Sequence, residues 1–257
     1  MMRALMTATI RRICRYPVKG LSPENLTQVT LAPGEGVPGD RRFALHIGNE
    51  PFDAGAPAWQ PKTHFMMLMR HERLAKLHTQ FDEATGVLTV ERDGKPVAHG
   101  DLREPTGRTV IEQFFAAYMA GEATRVPRLV EASDHMFSDT PAKVVSVIGL
   151  PSLKDLERVT RARVDPIRFR ANFYVDGLAP WEEFGWVGRE IALGGARGRV
   201  TKRIGRCAAT NVNPQTGARD MNVPLALQDG FRHADCGVYV EIVDGGTISV
   251  GDAVTAP

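Results

Sequence analysis

The sequence is poor in cysteine, has almost no net charge and lacks a long apolar run. Three widely separated cysteines in 257 residues, with no CxxC pair, argue against a disulfide framework and favour a reducing compartment, so we expect a cytoplasmic protein. The net charge of +2 argues against a dedicated nucleic-acid surface. No apolar run approaches the roughly 20 residues that cross a bilayer, and no membrane span is expected. The basic N-terminus has no signal-peptide core and only weak organellar-targeting character.

Short β-rich runs fill most of the chain and are separated by glycine and proline. Residues 86–100 are typical of a hairpin, with a tight turn at Asp93–Gly94. Residues 189–200 alternate like two strands around a glycine turn. The other runs cover 7–16, 25–31, 41–47, 143–148, 169–175, 237–243 and 247–254, the last two joined through 244–246.

Helices are few, and two are predicted. One covers 108–119, and the other begins at Ser152, with Asp155 three residues later as a capping partner. The expected inward side chains are Val110, Phe114 and Ala117 in the first helix, and Leu153, Leu156 and Val159 in the second. Few helices and many hairpins predict a mainly β (α+β) barrel or sandwich, with a boundary near residues 107–121.

Gly34, Gly36 and Gly39 spell GxGxxG, the spacing of a dinucleotide-binding loop. That loop must open a helix whose N-terminus faces the pyrophosphate. A strand-like run follows here, so a glycine-rich β-turn is the favoured interpretation.

His64, His71 and His78 recur at heptad spacing and would share one face of a helix. Zinc ligands normally lie closer together, with cysteine or carboxylate partners. The neighbouring methionines and leucines favour an amphipathic surface element over a metal site.

Cys207 is the candidate reactive residue. It follows a β-rich run, precedes the turn-forming segment 211–217, and has Lys202, Arg203 and Arg206 close by in sequence. Nearby cations favour the thiolate, which is the nucleophilic and metal-binding form. The residues leave two interpretations open: a thiolate site at a strand exit, or a small buried apolar side chain.

Several basic residues lie at the ends of predicted strands and could converge on one anion. Guanidinium groups suit bidentate phosphate binding, and lysine adds a point charge. The alternative is that each is a solvated surface cation. These residues are Lys19, Arg41, Arg168, Arg170 and Arg206.

Five segments, taken in order, resemble the MOSC family, named for the C-terminal domain of molybdenum cofactor sulfurase. They are RYPVKGLSPE at 15–24, GVPGDRRFAL at 36–45, RFRANFYV at 168–175, GRCAATNVNPQTG at 205–217 and GVYVEIVDGGTISVGD at 237–252. The resemblance covers about Ile13 to Val254 and implies an N-terminal β-barrel domain over 1–115, followed by a MOSC β-barrel domain over 116–257 with a few peripheral helices.

Relatives of this shape include the amidoxime-reducing branch of the family, and the resemblance to them implies a role for each matching residue. Cys207 corresponds to the cysteine that completes the sulfur ligation of molybdenum on a molybdopterin-type cofactor, and is thereby the expected catalytic and metal-binding residue. The residues expected to hold or face the cofactor are Lys19, Arg41, Thr140, Arg170, Asn172, Gly205, Arg206 and Tyr239. Gly20 and Ala171 depart from the pattern, which has serine and proline there.

The implied function is a molybdenum-dependent oxidoreductase that reduces small N-hydroxylated or N-oxide-like compounds. Three cysteines cannot build a four-cysteine iron–sulfur domain, so electrons are expected from a separate ferredoxin or cytochrome b5-like protein. Pyridoxal phosphate is not expected to bind this chain alone. One alternative is a carrier of persulfide sulfur on Cys207, or of the molybdenum cofactor. Another is a redox sensor that pairs Cys207 with Cys236 or Cys14.

Overall fold

The computed structural model describes residues 8–53, 58–123, 125–132 and 134–256. Of the basic N-terminal stretch considered for targeting, residues 1–7 lie outside these ranges, and the rest begins with a strand. Within them the α-helices are α1 Pro105–Tyr118, α2 Leu150–Thr160 and α3 Val223–Phe231. The strands are β1 Ala8–Arg15, β2 Glu24–Leu26, β3 Gln28–Leu31, β4 Phe43–His46, β5 Leu77–Asp82, β6 Val87–Arg92, β7 Lys95–Asp101, β8 Arg128–Glu131, β9 Val145–Gly149, β10 Phe173–Asp176, β11 Glu190–Leu193, β12 Ala196–Gly205, β13 Asp235–Asp244, β14 Gly246–Ser249 and β15 Ala253–Thr255.

A closed barrel of seven strands forms the larger unit, which confirms the predicted mainly β architecture. Its order is β10-β9-β13-β12-β11-β15-β1; pairing of β1 with β10 closes it, and β2 lies beyond β1. Closure leaves the seven strands without a free edge. Their alternate apolar side chains, including Ile10, Val147 and Val240, fill the interior. Strand β1 therefore completes a barrel whose other six strands are β9–β13 and β15, while the domain division at residue 115 stays a prediction.

A smaller sheet, β5-β6-β7, packs with α1 and the β4–β8 pair around a second apolar core. The predicted hairpin is confirmed: Asp93 and Gly94, both at positive φ (54° and 73°), connect β6 to β7. A primed turn requires positive φ at both positions, and it matches the twist of the flanking strands.

The predicted inward face of α1 was wrong by one position. Ile111 and Phe115 are fully buried, whereas Val110 is 44% exposed. The helix begins at Pro105 and packs through residues four apart, so Ile111, Phe115 and Met119 form its buried stripe.

Helix α2 forms, with Leu153 and Leu156 buried as predicted, but its expected cap was wrong. The helix begins at Leu150, and Ser152 lies in its first turn, where its hydroxyl donates to the buried carboxylate of Glu183 at 2.8 Å. Asp155 instead accepts from the Trp181 indole at 2.8 Å.

Helix α3 was missed by the sequence prediction, although its start carries a signal. The Asn222 side chain accepts from the Leu225 N–H at 3.3 Å, and Pro224 lies in the first turn. Asparagine as N-cap and proline in the first turn are both typical of helix starts.

The other motifs are resolved by their local structure. The glycine-rich segment 34–39 is a turn that leads into β4, as predicted. The three histidines do not share a helix face: His64 lies in a short 3-10 helix, His71 precedes another, and His78 lies in β5. Strand β14 pairs with β3 rather than with β13. Among the described residues, no helix is both long and apolar enough to cross a bilayer.

Candidate functional site

A cavity of about 370 Å³ opens where the end of β12 meets segments from both halves of the chain. Its walls come from 62–69, 136–146, 168–172 and 202–210, together with Lys19, Gly20, Arg41 and Tyr239. All nine residues expected to form the cofactor site line it, although they come from distant parts of the sequence. They are Lys19, Arg41, Thr140, Arg170, Asn172, Gly205, Arg206, Cys207 and Tyr239.

The cavity lining is strongly cationic. Among the described residues, eight lysine and arginine side chains and a single carboxylate, Asp139, line it. The cations are Lys19, Arg41, Lys62, Arg168, Arg170, Lys202, Arg203 and Arg206. A concave surface of one charge sign concentrates ligands of the opposite sign, so this cavity suits an anion.

Cys207 lies at the strand exit predicted from the sequence. It follows β12 and immediately precedes the short 3-10 helix Ala208–Asn211, where Thr210 donates to the Cys207 carbonyl through N–H (3.0 Å) and Oγ1 (2.8 Å). Cys207 is partly exposed, whereas Cys14 and Cys236 are fully buried. Burial raises the pKa of Cys236 to about 12 and also raises that of Cys14, which makes both poor thiolates.

Lys62 and Asp139 belong to the site and were missed by sequence reasoning. Asp139 accepts from Lys19 Nζ at 2.7 Å and from Lys62 Nζ at 3.4 Å. Burial acts to raise the pKa of Asp139, but the two lysines prevail and hold it at about 2. Burial likewise acts to lower the pKa of Lys62, but Asp139 and the adjacent Cys207 sulfur raise it. Lys62 thus contributes a protonated amine beside Cys207.

The Tyr16 ring contacts both arginines that were predicted to hold a phosphate. The guanidinium carbons of Arg41 and Arg170 lie 4.9 Å and 4.3 Å from its ring centroid. Arg41 Nη2 also donates to the Arg170 carbonyl at 2.8 Å, and Arg170 Nη1 to the Leu21 carbonyl at 2.6 Å. Arg170 Nη2 is buried with no hydrogen-bond partner among the described residues. Burial lowers the pKa of Arg170 to about 10, so the side chain stays charged at neutral pH.

Both arginines have a left-handed backbone, with φ of 51° at each. For a residue other than glycine this conformation costs roughly 1 kcal/mol or more. Strained backbone of this kind concentrates at functional sites, where surrounding contacts hold it.

Asn172 has a positioning role, because its side chain is fully engaged by the protein. Its Oδ1 accepts from Ser146 N–H (3.0 Å) and Oγ (2.8 Å), and its Nδ2 donates to the Cys14 carbonyl (3.2 Å) and to Asp40 (3.1 Å). Asp40 in turn pairs with Arg41. Asn172 therefore orients the carboxylate that holds Arg41.

Arg168 supports the Cys207 loop instead of presenting its charge to a ligand. It is 4% exposed, and it donates to Asp220 Oδ1 at 2.6 Å and to the carbonyls of Thr210 and Asn211 at 3.4 and 3.1 Å. These contacts tie the RFRAN segment to the short helix that follows Cys207.

Arg206 is likewise occupied by backbone carbonyls, donating to Cys236 (2.8 Å from Nε) and to Phe169 (3.0 Å from Nη1). Tyr239 is opposite Lys202 in β12 and Ser146 in β9. Burial raises the pKa of its phenol, which therefore remains protonated. Thr140 is buried at the cavity wall.

The two departures from the family pattern have structural reasons. Gly20 has φ of +82°, and a Cβ there would approach the Met66 carbonyl oxygen to 3.3 Å. Ala171 donates its N–H to the Tyr174 hydroxyl at 3.1 Å, a bond that proline cannot make.

The side chains of the cavity fit a metal that takes one ligand from the protein and the others from an organic cofactor. No group of three or more histidine, cysteine or acidic side chains that could hold an ion occurs among the described residues. Cys207 offers one sulfur, while the unpartnered Arg170 Nη2 and the surrounding cations suit a phosphate. A molybdenum held by a dithiolene on a phosphorylated pterin meets both conditions.

Comparisons with known proteins assign the family. The model of the MOSC N-terminal beta barrel domain matches residues 7–139, and that of the MOSC domain matches 133–255. The chain is 27% identical over 152 residues to mitochondrial amidoxime-reducing component 1 of Mus musculus, covering 54% of this chain and 44% of that protein. It is 29% identical over 122 residues to mitochondrial amidoxime reducing component 2 of Bos taurus, covering 43% and 36%.

The chain thus aligns with less than half the length of these curated relatives. Among solved structures, the YUAD protein of Bacillus subtilis is similar over 97% of this chain and 94% of its own, with a TM-score of 0.48 and 14% identity. Together the two family models cover nearly the whole sequence in the order predicted. The chain belongs to the MOSC family, with a MOSC N-terminal beta barrel domain followed by a MOSC domain.

Proposed function

We propose that this chain is a molybdenum-cofactor-dependent oxidoreductase that reduces small N-hydroxylated or N-oxide-like compounds with electrons from a separate protein. One observation carries the proposal: Cys207, partly exposed where Cys14 and Cys236 are buried, lies in a cavity that eight cations and one carboxylate line within the described ranges. The names of the curated relatives, which are amidoxime-reducing components, support the substrate class.

The proposed site residues have two roles: one binds the metal through sulfur, and the others bind the cofactor phosphate. Cys207 would bind the metal, while Lys19, Arg41 and Arg170 would neutralise the cofactor phosphate. The arginines are suited to this because the Tyr16 ring and Asp40 already hold them in place. A guanidinium group that is already held in place loses less conformational entropy when it binds a ligand than a freely rotating side chain does.

When bound, the cofactor supplies the electron pair that removes oxygen from nitrogen. Releasing that oxygen as water consumes two protons. Lys62 holds a proton at Nζ next to the Cys207 sulfur, and Asp139 keeps that amine charged. The protein thus contributes ligation, charge and a nearby proton at one point of the cavity.

The test is metal and pterin analysis of protein made in a host that synthesises the cofactor, combined with reduction of benzamidoxime by a chemical reductant. Wild type should hold about one molybdenum per chain and reduce the substrate. Cys207→Ser should fold but lose both properties, while Cys236→Ala, which removes a buried cysteine, should keep them. Turnover by Cys207→Ser at the wild-type rate refutes the proposal. A dithiothreitol-sensitive mass on Cys207, without bound metal or turnover, refutes it in favour of a sulfur carrier.

A further inference from the structure

Arg219 connects two segments that lie far apart in the sequence. Its Nη1 donates to the carbonyl of Ala208 at 3.3 Å. Its Nη2 donates to the carbonyls of Leu68 and Met69 at 3.4 and 2.8 Å, and to the Glu72 carboxylate at 3.0 Å. Three carbonyl oxygens and one carboxylate therefore converge on a single guanidinium group. Arginine suits this position because its N–H donors lie in a fixed, planar fork.

Both segments contribute to the lining of the cavity. Residues 67–69 belong to the lining, and so do Cys207 and Ala209, the two neighbours of Ala208 in the chain. Arg219 itself does not belong to it. The guanidinium group thus acts from outside the cavity surface, where it joins a wall from the N-terminal half of the chain to the loop that carries Cys207.

The turn that carries Arg219 packs closely on the same N-terminal segment. Gly217 has φ of +69°, and a Cβ there would lie 2.9 Å from Lys76 Cγ and 3.1 Å from the Glu72 carbonyl oxygen. Within the turn, the Gly217 N–H donates to the Asn213 carbonyl at 2.9 Å. Only glycine leaves room for so close an approach at positive φ, and this approach brings Arg219 within hydrogen-bond reach of its partners.

We propose that Arg219 is a positioning residue: it holds residues 67–69 against the Cys207 loop and so limits the size of the molecules that reach the sulfur. Without the guanidinium group, the converging oxygens would lose their shared donor and repel one another, and the two segments would move apart. A wider gap admits larger molecules. The effect on substrate reduction rests on the proposed function; the effect on access to the sulfur does not.

The first experiment uses the full chain made without cofactor. N-methylmaleimide and N-cyclohexylmaleimide are both neutral and alkylate the same sulfur, so the ratio of the cyclohexyl rate to the methyl rate at Cys207 reports the space around it and not its reactivity. Peptide mass spectrometry follows both rates. Arg219→Gln should raise this ratio about threefold, since partly exposed ion pairs and hydrogen bonds are individually weak. An unchanged ratio overturns the proposal.

Two milder variants test the same contact if Arg219→Gln does not fold. Arg219→Lys keeps the charge but cannot span all four oxygens, so it should keep part of the wild-type selectivity. Glu72→Gln removes the carboxylate and leaves the three carbonyl contacts, so it should raise the ratio less than Arg219→Gln does. A wild-type ratio in Glu72→Gln together with no difference between Arg219→Lys and wild type also overturns the proposal.

Arg73→Gln is the matched control. Arg73 donates to Glu122 at 2.9 Å, and the two side chains are 40% and 35% exposed, against 35% and 39% for Arg219 and Glu72. This variant removes a similar ion pair within the N-terminal half and does not touch the Cys207 loop. It should leave the ratio near the wild-type value. An equal rise in Arg73→Gln and Arg219→Gln overturns the proposal, because general loosening of the fold would then explain both.

The second experiment compares benzamidoxime with the longer 4-phenylbenzamidoxime in the cofactor-loaded protein with a chemical reductant. In Arg219→Gln the KM for the longer compound should fall about threefold relative to that for benzamidoxime, while the ratio of the two kcat values stays near wild type. Equal losses of kcat/KM for both compounds overturn the proposal in favour of a purely structural role. Failure of the wild type to reduce either compound counts against the proposed function alone, because the maleimide ratio still decides access to the sulfur.

Discussion

Arg168→Met should destabilise the fold by loosening the loop that carries Cys207. The native guanidinium is buried and donates to Asp220 and to the carbonyls of Thr210 and Asn211. Methionine fills much of the same space but offers no donor. The substitution leaves one carboxylate and two carbonyl oxygens without their partner.

The size of the effect follows from the burial of each group. Removing one member of a buried ion pair costs about 3–5 kcal/mol, but the Asp220 side chain is 39% exposed, so water replaces part of what is lost. Each carbonyl that loses a neutral hydrogen bond adds about 1 kcal/mol. We expect the free energy of unfolding to fall by about 2–4 kcal/mol.

Urea denaturation of a double-mutant cycle measures the pair itself. Arg168→Met, Asp220→Asn and the double variant should give a coupling energy of about 1–2 kcal/mol at pH 7. Burial acts to raise the pKa of Asp220, but Asn213 and Arg168 lower it. A lowered folded pKa stabilises the fold above the unfolded value, so the coupling should fade as the pH drops below about 4.

The iodoacetamide rate at Cys207 separates positioning from general stability. Arg168→Met should raise this rate, because the segment after Cys207 loses its anchor to the RFRAN segment. A coupling energy near zero, or an unchanged alkylation rate in a variant that is clearly destabilised, would refute the view that Arg168 positions the loop.

Three further predictions concern Asp139, Ala171 and Glu183. Asp139→Asn should lower the free energy of unfolding by about 1–2 kcal/mol at pH 7, since Lys19 stays buried without its carboxylate; the difference from wild type in urea titrations should shrink between pH 4 and 2, where Asp139 protonates. Ala171→Pro should cost about 1 kcal/mol, because the Tyr174 hydroxyl loses its N–H donor, and a wild-type midpoint in urea would argue against that bond. Burial raises the pKa of Glu183 above that of an ordinary glutamate. The free energy of unfolding of the wild type should therefore fall as the pH rises from the ordinary pKa to the raised one, and Glu183→Gln should lack this fall. Parallel pH–stability curves for the two proteins would contradict the prediction.

The local structure was largely predictable because it depends on neighbours in sequence. Period-2 alternation marked most barrel strands, and the Asp93–Gly94 step marked its hairpin. The errors arose where packing decides. The pattern around α1 allowed several helical faces, and only contact with the smaller sheet selected Ile111 and Phe115. The heptad of histidines implied a helix that the chain does not form.

The site divides in the same way. Motif similarity identified all nine predicted lining residues, and the structure brings them together in one cavity. The place of Arg168 at a strand end had suggested anion binding or a solvated surface cation, whereas the structure uses this residue to support a loop. Lys62 and Asp139 carried no recognisable motif, because their importance comes from lying near Cys207 rather than from sequence spacing.

The sequence by itself determined the β-rich character, the turns and the choice of Cys207 as the candidate reactive cysteine, since each depends on residue type and local spacing. Only the tertiary structure decided which charges are satisfied. Ion pairing depends on distances between residues that are far apart in the chain, such as Lys19 and Asp139.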